Sequence, residues 1–291
     1  MTALHEIQIQ NVSKRFRDTQ ALQNVSFRFE EGKIYGLLGR NGAGKSTLIN
    51  IICNRLFADQ GSILVDGQPA AENPEAQNKI FCMSDKETYP SSLRVLKVFK
   101  LTNSFYDCFQ YEKALSYAEK FGLPLGKKIS SLSTGYRSIF KLILALCLNV
   151  PYVFFDEPVL GLDANHRELF YRLLLQEYEE NPRTIILATH LIEEVAHLIE
   201  DVVIIDRGRM ILQSPVEDLV SKGYSISGLE QEVEDYCRGK DVIGEEGLGG
   251  LKVAYIMGAV DRSRLTDRLT VSPITLQKLF VKLTESEEER I

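Results

Sequence analysis

Residues 39–46 read GRNGAGKS, the spacing G-x4-G-K-[ST], between the apolar run KIYGLL at 33–38 and the segment LINIICNRL. No other stretch restricts the fold as much, because this spacing works where a buried strand ends and a helix begins. Glycines at 39, 42 and 44 let the backbone curl so that successive N–H groups point inward. The helix that follows adds its positive end, and together they cradle phosphate oxygens. Lys45 supplies a movable point charge suited to β- and γ-phosphates, the Ser46 hydroxyl suits Mg²⁺, and Thr47 offers a further phosphate contact. The nucleotide-binding set is Gly39, Asn41, Gly42, Ala43, Gly44, Lys45, Ser46 and Thr47. A glycine turn without a ligand is the plain alternative. The loop implies a nucleotide without specifying a reaction.

A metal-holding carboxylate belongs at the end of another apolar strand, and Val153-Phe154-Phe155-Asp156-Glu157-Pro158 supplies one with a second acid beside it. Asp156 is the Mg²⁺ candidate. Glu157 points to where a water attacks the γ-phosphate, as its polariser or general base. A solvated acidic pair is the bland reading, and the apolar residues before it count against that. SSLSTGYRS at 130–138 places Ser133, Thr134 and Gly135 at the start of an amphipathic helix, a second place where N–H groups can meet an anion, or an ordinary cap. LGLD at 160–163 follows the acid pair, and Ala188-Thr189-His190 ends a later strand. A lone histidine is usually structural, so His190 draws its interest from its company.

Along the chain, Ile7-Gln8-Ile9-Gln10 and Val25-Ser26-Phe27-Arg28-Phe29 alternate with the period of half-exposed strands, predicting an antiparallel start. Residues 92 to 150 turn helical, as an inserted lobe. Strand signals at 152–155, 184–188 and 202–205 are separated by the helical patterns HRELFYRLLLQEYEE and LIEEVAHLIE. That alternation predicts a mainly parallel sheet with helices on both faces. Beyond Pro215, closely spaced glycines punctuate short strands such as LKVAYIM, and a helix ITLQKLFVKLTE follows, with Ser272 as its cap and Pro273 as its first residue. The fold class expected is α/β with an antiparallel β subdomain, an inserted helical lobe and a small α+β C-terminal module. The domains are 1–215, with the lobe at about 86–150, and 216–291. The acidic ending ESEEERI reads as solvated.

Charge narrows the partners: 34 Lys and Arg against 40 Asp and Glu leave a net charge of −6, which does not favour wrapping nucleic acid. Five scattered cysteines without CxxC pairing predict a reduced, cytosolic chain. The start lacks the continuous apolar stretch of a secretory signal. The most apolar segment, Ile139–Leu148, contains Lys141 and falls short of the roughly 18 residues that span a bilayer. The expectation is a chain that serves a membrane, if at all, from outside.

Taken in order, these motifs resemble the nucleotide-binding subunit of ATP-binding cassette (ABC) transporters, over about residues 4–213. GRNGAGKST is like the Walker A loop of this P-loop NTPase fold, LSTGY like the LSGGQ signature, and VFFDEP like Walker B with its glutamate. LGLD is like the D-loop and ATH like the switch histidine. The resemblance implies ATP and Mg²⁺ as cofactors, ATP hydrolysis, and two subunits packed head to tail around two ATP, as a homodimer or with a sibling cassette. It implies that Ser133 and Gly135 contact the γ-phosphate across that dimer, that Asp163 couples the two sites, and that His190 holds the γ-phosphate near Glu157. Phe16, in SKRFRDTQAL, matches the aromatic residue that stacks on adenine. The pattern looks most like bacterial single-cassette subunits that pair with separate permeases of the ABC-2 or antibiotic-exporter kind. Export is favoured over import, from the inner face of the cytoplasmic membrane, with no membrane insertion of the chain's own and no nucleic acid.

Two departures stand out. Where the family has a glutamine after a short strand, KIFCMSDKETYP leaves Asp85, or Ser84, at the corresponding place; an aspartate can still bind Mg²⁺ or orient water, but it is shorter and charged. The signature ends in Gly135-Tyr136 instead of Gly-Gln, which keeps the serine and the last glycine, so activity is expected to survive. A soluble ABC ATPase acting on ribosomes or DNA is the alternative, yet this chain has one cassette and no heptads. A small-molecule P-loop kinase would need neither LSTGY nor ATH. For the C-terminal extension, a regulatory or dimer-stabilising module and a plain structural addition both stay open.

Overall fold

The computed structural model describes residues 5–84 and 89–285. Strands β1 (Glu6–Phe16) and β2 (Thr19–Glu30) pair antiparallel, their alternate residues Ile7, Ile9, Val25, Phe27 and Phe29 turned inward. Strand β3 (Ile34–Leu38) is buried along its whole length, as a central parallel strand must be. Helix α1 (Lys45–Ile52) leaves the phosphate loop; β4 (Gln60–Val65) and β5 (Gln68–Pro69) then complete a sheet of order β2-β1-β4-β5. The short helix α2 (Pro74–Gln77), capped by the Asn73 side chain, leads into β6 (Ile80–Met83).

The helical lobe follows, with α3 (Val95–Phe105), α4 (Tyr111–Lys120) and α5 (Thr134–Cys147). Phe99 of α3 stacks on Phe140 of α5, ring centroids 6.0 Å apart. The chain then alternates β7 (Tyr152–Asp156), α6 (Ala164–Glu180), β8 (Thr184–Thr189), α7 (Ile192–Val195), β9 (Asp201–Asp206) and β10 (Arg209–Pro215). The central sheet has the order β10-β9-β3-β8-β7-β6, parallel except at β10. Along β7, Val153 and Phe155 enter the core beneath the helical lobe, while Tyr152 and Phe154 enter the core beneath the antiparallel sheet. Each such side chain contributes about 1.5–3 kcal/mol, so Asp156 and Glu157 stand on a firmly held strand end.

The C-terminal segment forms α8 (Val216–Ser221), β11 (Gly223–Leu229), α9 (Glu230–Cys237), β12 (Asp241–Leu248), β13 (Leu251–Met257), β14 (Thr270–Pro273) and α10 (Leu276–Thr284). Its strands make an antiparallel sheet of order β12-β13-β11-β14. On one face Tyr224, Ile226, Ala254 and Ile256 pack with Val233 and Tyr236 of α9. Toward the rest of the protein stands α10, whose Leu276, Leu279 and Phe280 belong to the same core as α7 and α8.

Two elements differ from the sequence reading. LIEEVAHLIE forms only one helical turn, α7, because the chain must straighten to enter β9: the Glu200 N–H already bonds to Ile34 O at 2.8 Å, and Ile199 packs onto Gly36. The last helix starts at Leu276, capped by the Thr275 hydroxyl, and not at Pro273, which closes the edge strand β14, opposite Tyr224. An edge position tolerates proline's missing N–H.

Helix α10 is tied to its own sheet by charge. Glu246 accepts from Lys278 at 2.9 Å and the Tyr255 hydroxyl at 2.9 Å, and pairs with Lys282 at 3.0 Å. Partial burial works to raise the Glu246 pKa, but the two ammonium groups and the hydroxyl outweigh it and bring the carboxyl down from 4.5 to about 2. A depressed carboxyl stabilises the fold above its unfolded pKa and loses that contribution as pH falls through the folded one. Glu246→Gln should therefore be less stable than the parent at neutral pH, with the gap closing between pH 4.5 and about 2. Denaturant titrations across that range check it, and a gap that stays constant with pH contradicts it.

Candidate functional site

Strands β3, β8 and β7 lie side by side and parallel, so the residues after Leu38, Thr189 and Asp156 emerge at one edge of the sheet. In open α/β sheets this carboxyl edge is where ligands bind. The phosphate loop follows β3, the acid pair ends β7, and His190 follows β8. Adjacent strands thus bring together residues more than a hundred positions apart.

The loop's glycines are dictated by crowding. A Cβ on Gly39 would lie 2.5 Å from Ile205 O, and one on Gly44, at φ +110°, would lie 2.6 Å from Ala21 O. Gly42, at φ +81°, faces open space. Ala43 is buried, its carbonyl accepting the Gly208 N–H at 2.9 Å, while Asn41 is exposed and Thr47 half-buried. Lys45 folds back over the loop, its Nζ donating to Gly39 O at 2.5 Å and Arg40 O at 3.3 Å. Burial lowers its pKa, against the pull of Glu157 and Asp156. The Ser46 hydroxyl donates to Asp156 Oδ1 at 3.1 Å, placing the two oxygen ligands inferred from sequence side by side.

Glu157 occupies left-handed backbone, φ +51°, and its N–H bonds to Ala188 O at 2.8 Å. For a residue with a side chain this conformation carries strain of about 1–3 kcal/mol. It turns the glutamate toward the end of β8. There its carboxylate accepts from His190 Nδ1 at 2.9 and 3.0 Å and from the Thr189 hydroxyl at 3.2 Å. With Nδ1 held by the carboxylate, Nε2 is the histidine nitrogen left for a ligand. Phe16, at the end of β1, is 43% exposed, and Lys14 Nζ lies over its ring, 5.5 Å from the centroid.

Ser133, Gly135 and Asp163 form a second group. The Ser133 hydroxyl caps α5, accepting from Tyr136 N at 3.3 Å, and a Cβ on Gly135 would lie 3.1 Å from Gly161 O. Asp163 caps α6 through His166 N at 2.9 Å and bonds His166 Nδ1 at 2.8 Å; the backbone N–H is the main reason its carboxyl sits below the usual range. Asp85 lies outside the described residues. Its neighbour Ser84 accepts from Arg55 through its hydroxyl at 3.0 Å and from Lys141 through its carbonyl at 2.8 Å.

Sequence reasoning gave no role to Thr189 or Gly208. Thr189 braces Glu157 while accepting Leu191 N at 3.1 Å, which shapes the turn carrying His190. The only hint was its place in Ala188-Thr189-His190. Gly208 sits where a Cβ would lie 2.7 Å from Ala21 O of β2, so the β9–β10 turn can approach closely enough for the Gly208 N–H to bond Ala43 O of the loop; its signal was the Arg207-Gly208 pair between two strands.

The family model for the ABC transporter matches residues 22–160. An uncharacterized ABC transporter ATP-binding protein of Methanocaldococcus jannaschii, MJ1023, is 30% identical over 222 residues, 75% of this chain and 80% of that protein. The Nod factor export ATP-binding protein I of Rhizobium etli is 27% identical over 300 aligned residues, covering 98% of this chain and 95% of that protein. Relatives named for import match between 72% and 79% of this chain. The dimeric structure of the bacterial ABC transporter cassette MJ0796 has a similar fold, with a TM-score of 0.64 at 24% identity over 72% of this chain and 98% of that one. Motif order and overall similarity converge, and this chain belongs to the ABC transporter family as an ATP-binding, ATP-hydrolysing cassette subunit.

Proposed function

We propose that this cassette powers export through a separate permease, working as one of two cassettes that close around ATP and Mg²⁺. The observation that carries this reading is the division of the site. Lys45, Ser46, Asp156, Glu157 and His190 form one connected group at the sheet edge. The contacts of Ser133, Gly135 and Asp163 are instead with the signature helix, the α6 cap and the loop between β7 and α6. A second anion-binding helix start on the same chain, with its own support, suits the nucleotide of a neighbouring cassette.

The donor set fits Mg²⁺. Ser46 and Asp156 offer hard oxygens 3.1 Å apart, and among the described residues no group of three or more His, Cys, Asp or Glu could form an all-protein cage. Mg²⁺ is commonly held by one or two carboxylates, with phosphate and water completing the shell. When bound, it supplies positive charge to the β- and γ-phosphate oxygens. Lys45 exchanges the carbonyls of Gly39 and Arg40 for phosphate oxygens, and Glu157 takes the proton of the attacking water. His190 fixes the angle of that carboxylate.

Among the described residues no helix is long and apolar enough to cross a membrane, and this reading assigns the membrane passage to a separate permease. The helical lobe offers it a surface. Phe105, 78% exposed, and Tyr106 end α3 beside a cavity of about 620 Å³ that Cys53, Arg55 and Tyr89 also line. The export direction rests on the relative named for export, whose match extends over the C-terminal module. Tagged protein from gently solubilised membranes, held with a non-hydrolysable ATP analogue, should co-purify with a polytopic membrane protein at near-stoichiometric amount. Recovery of ribosomal or DNA-bound partners alone would overturn the transport reading.

A further inference from the structure

We propose that α10 is a strut through which the C-terminal module sets the position of both catalytic corners, the phosphate loop and the His190 turn. One end of the strut lies at α7. His190 and Leu191 lead directly into α7, whose Ile192 and Val195 are fully buried in the core that Leu276, Leu279 and Phe280 of α10 enter. The turn between them is short and hydrogen-bonded through Thr189. A shift of α10 therefore carries α7, and α7 carries the imidazole whose Nδ1 lies 2.9 Å from Glu157.

The other end lies at the loop. Phe280, Val281, Thr284 and Glu285 share a cavity of about 380 Å³ with Arg40. Arg40 belongs to the loop itself: its carbonyl accepts Lys45 at 3.3 Å and the Ala43 N–H at 3.1 Å. A nine-residue helix thus borders the glycine loop at Arg40 and packs against α7, behind the His190 turn.

What holds α10 is the C-terminal sheet. Lys282 is buried, pairs with Glu246 at 3.0 Å and Glu285 at 2.9 Å, and lies 5.3 Å from the Tyr255 ring centroid. Lys278 adds its 2.9 Å bond to Glu246. An apolar face set in the ATPase core and a charged face clamped to a separate sheet make a helix that transmits displacement in either direction. Packed interfaces shift between discrete arrangements and do not stretch.

The strut rests on the nucleotide-site reading, and the test separates the two. The chain contains no tryptophan, so Phe280→Trp puts a single indole beside Arg40, with the cavity there to receive the larger ring. MgATP should change its emission with half-saturation at the dissociation constant found by calorimetry on the same protein. Glu246→Gln should lower kcat per calorimetrically counted ATP site by about three- to tenfold, with KM for ATP within about twofold, since remote misplacement is felt in the chemical step. A silent indole at saturating ATP, or parental kcat in Glu246→Gln, overturns the strut while leaving the nucleotide site in place. Failure of the parent to bind ATP in calorimetry overturns the site reading instead, and the strut with it.

Discussion

Glu157→Gln should slow ATP hydrolysis by about 10²–10³-fold, within the range expected for loss of a positioned general base, and should not weaken ATP binding. Glutamine keeps an oxygen that can accept from His190 Nδ1 or the Thr189 hydroxyl, so the local packing survives. It cannot take a proton from water at neutral pH. Removing one of two adjacent negative charges, with Asp156 retained, also relieves repulsion toward the γ-phosphate, so the ATP-bound state should persist. Single-turnover phosphate release measured beside ATP affinity separates the steps. Parental hydrolysis would mean that Glu157 serves only the strained turn at the end of β7.

The strain at Glu157 bears on this result. Left-handed backbone costs about 1–3 kcal/mol for a residue with a side chain, and here it is offset by the bond from its own N–H to Ala188 O, 2.8 Å. That conformation aims the carboxylate across to β8, where His190 and Thr189 hold it. Glutamine keeps the same backbone preference. The substitution therefore tests the carboxylate without disturbing the turn.

Much of the candidate site's layout was legible in sequence because a glycine loop and an acid pair of this kind are consecutive residues at strand ends. GRNGAGKST needs its glycines where Gly39 and Gly44 meet Ile205 O and Ala21 O. The runs before Asp156 and His190 read as buried strands because both faces of a parallel sheet are covered. That His190 lies near Glu157 came only from the family resemblance; no local pattern shows their bond, which depends on β7 and β8 being neighbours, a property of strand order. Local pattern also misjudged LIEEVAHLIE, whose helical periodicity gave way to the bond from Glu200 to Ile34 O. The placement of α10 between the loop and α7 is tertiary throughout. A helix was expected there from sequence, with nothing to say what it packs against.

Lys45→Ala should abolish tight ATP binding while leaving the nucleotide-free protein close to its parental stability. Charge-assisted hydrogen bonds are worth about 1.5–3 kcal/mol each, so losing two phosphate contacts predicts a fall in affinity of at least about 10²-fold. Two effects oppose each other in the free protein. Alanine removes the donors to Gly39 O and Arg40 O, at 2.5 and 3.3 Å, which destabilises. It also removes a cation whose burial opposes its charged form, as its lowered pKa shows, which stabilises. Ligand binding raises stability by about 2.7 kcal/mol at a concentration 100 times the dissociation constant, so the parent should melt several degrees higher in MgATP and the variant should not. Thermal melts with and without MgATP, beside calorimetry, read both quantities. An undiminished ATP-induced shift in Lys45→Ala would show that the ammonium is only a brace for the loop, and nucleotide recognition would then have to rest on the backbone N–H groups and the helix end alone.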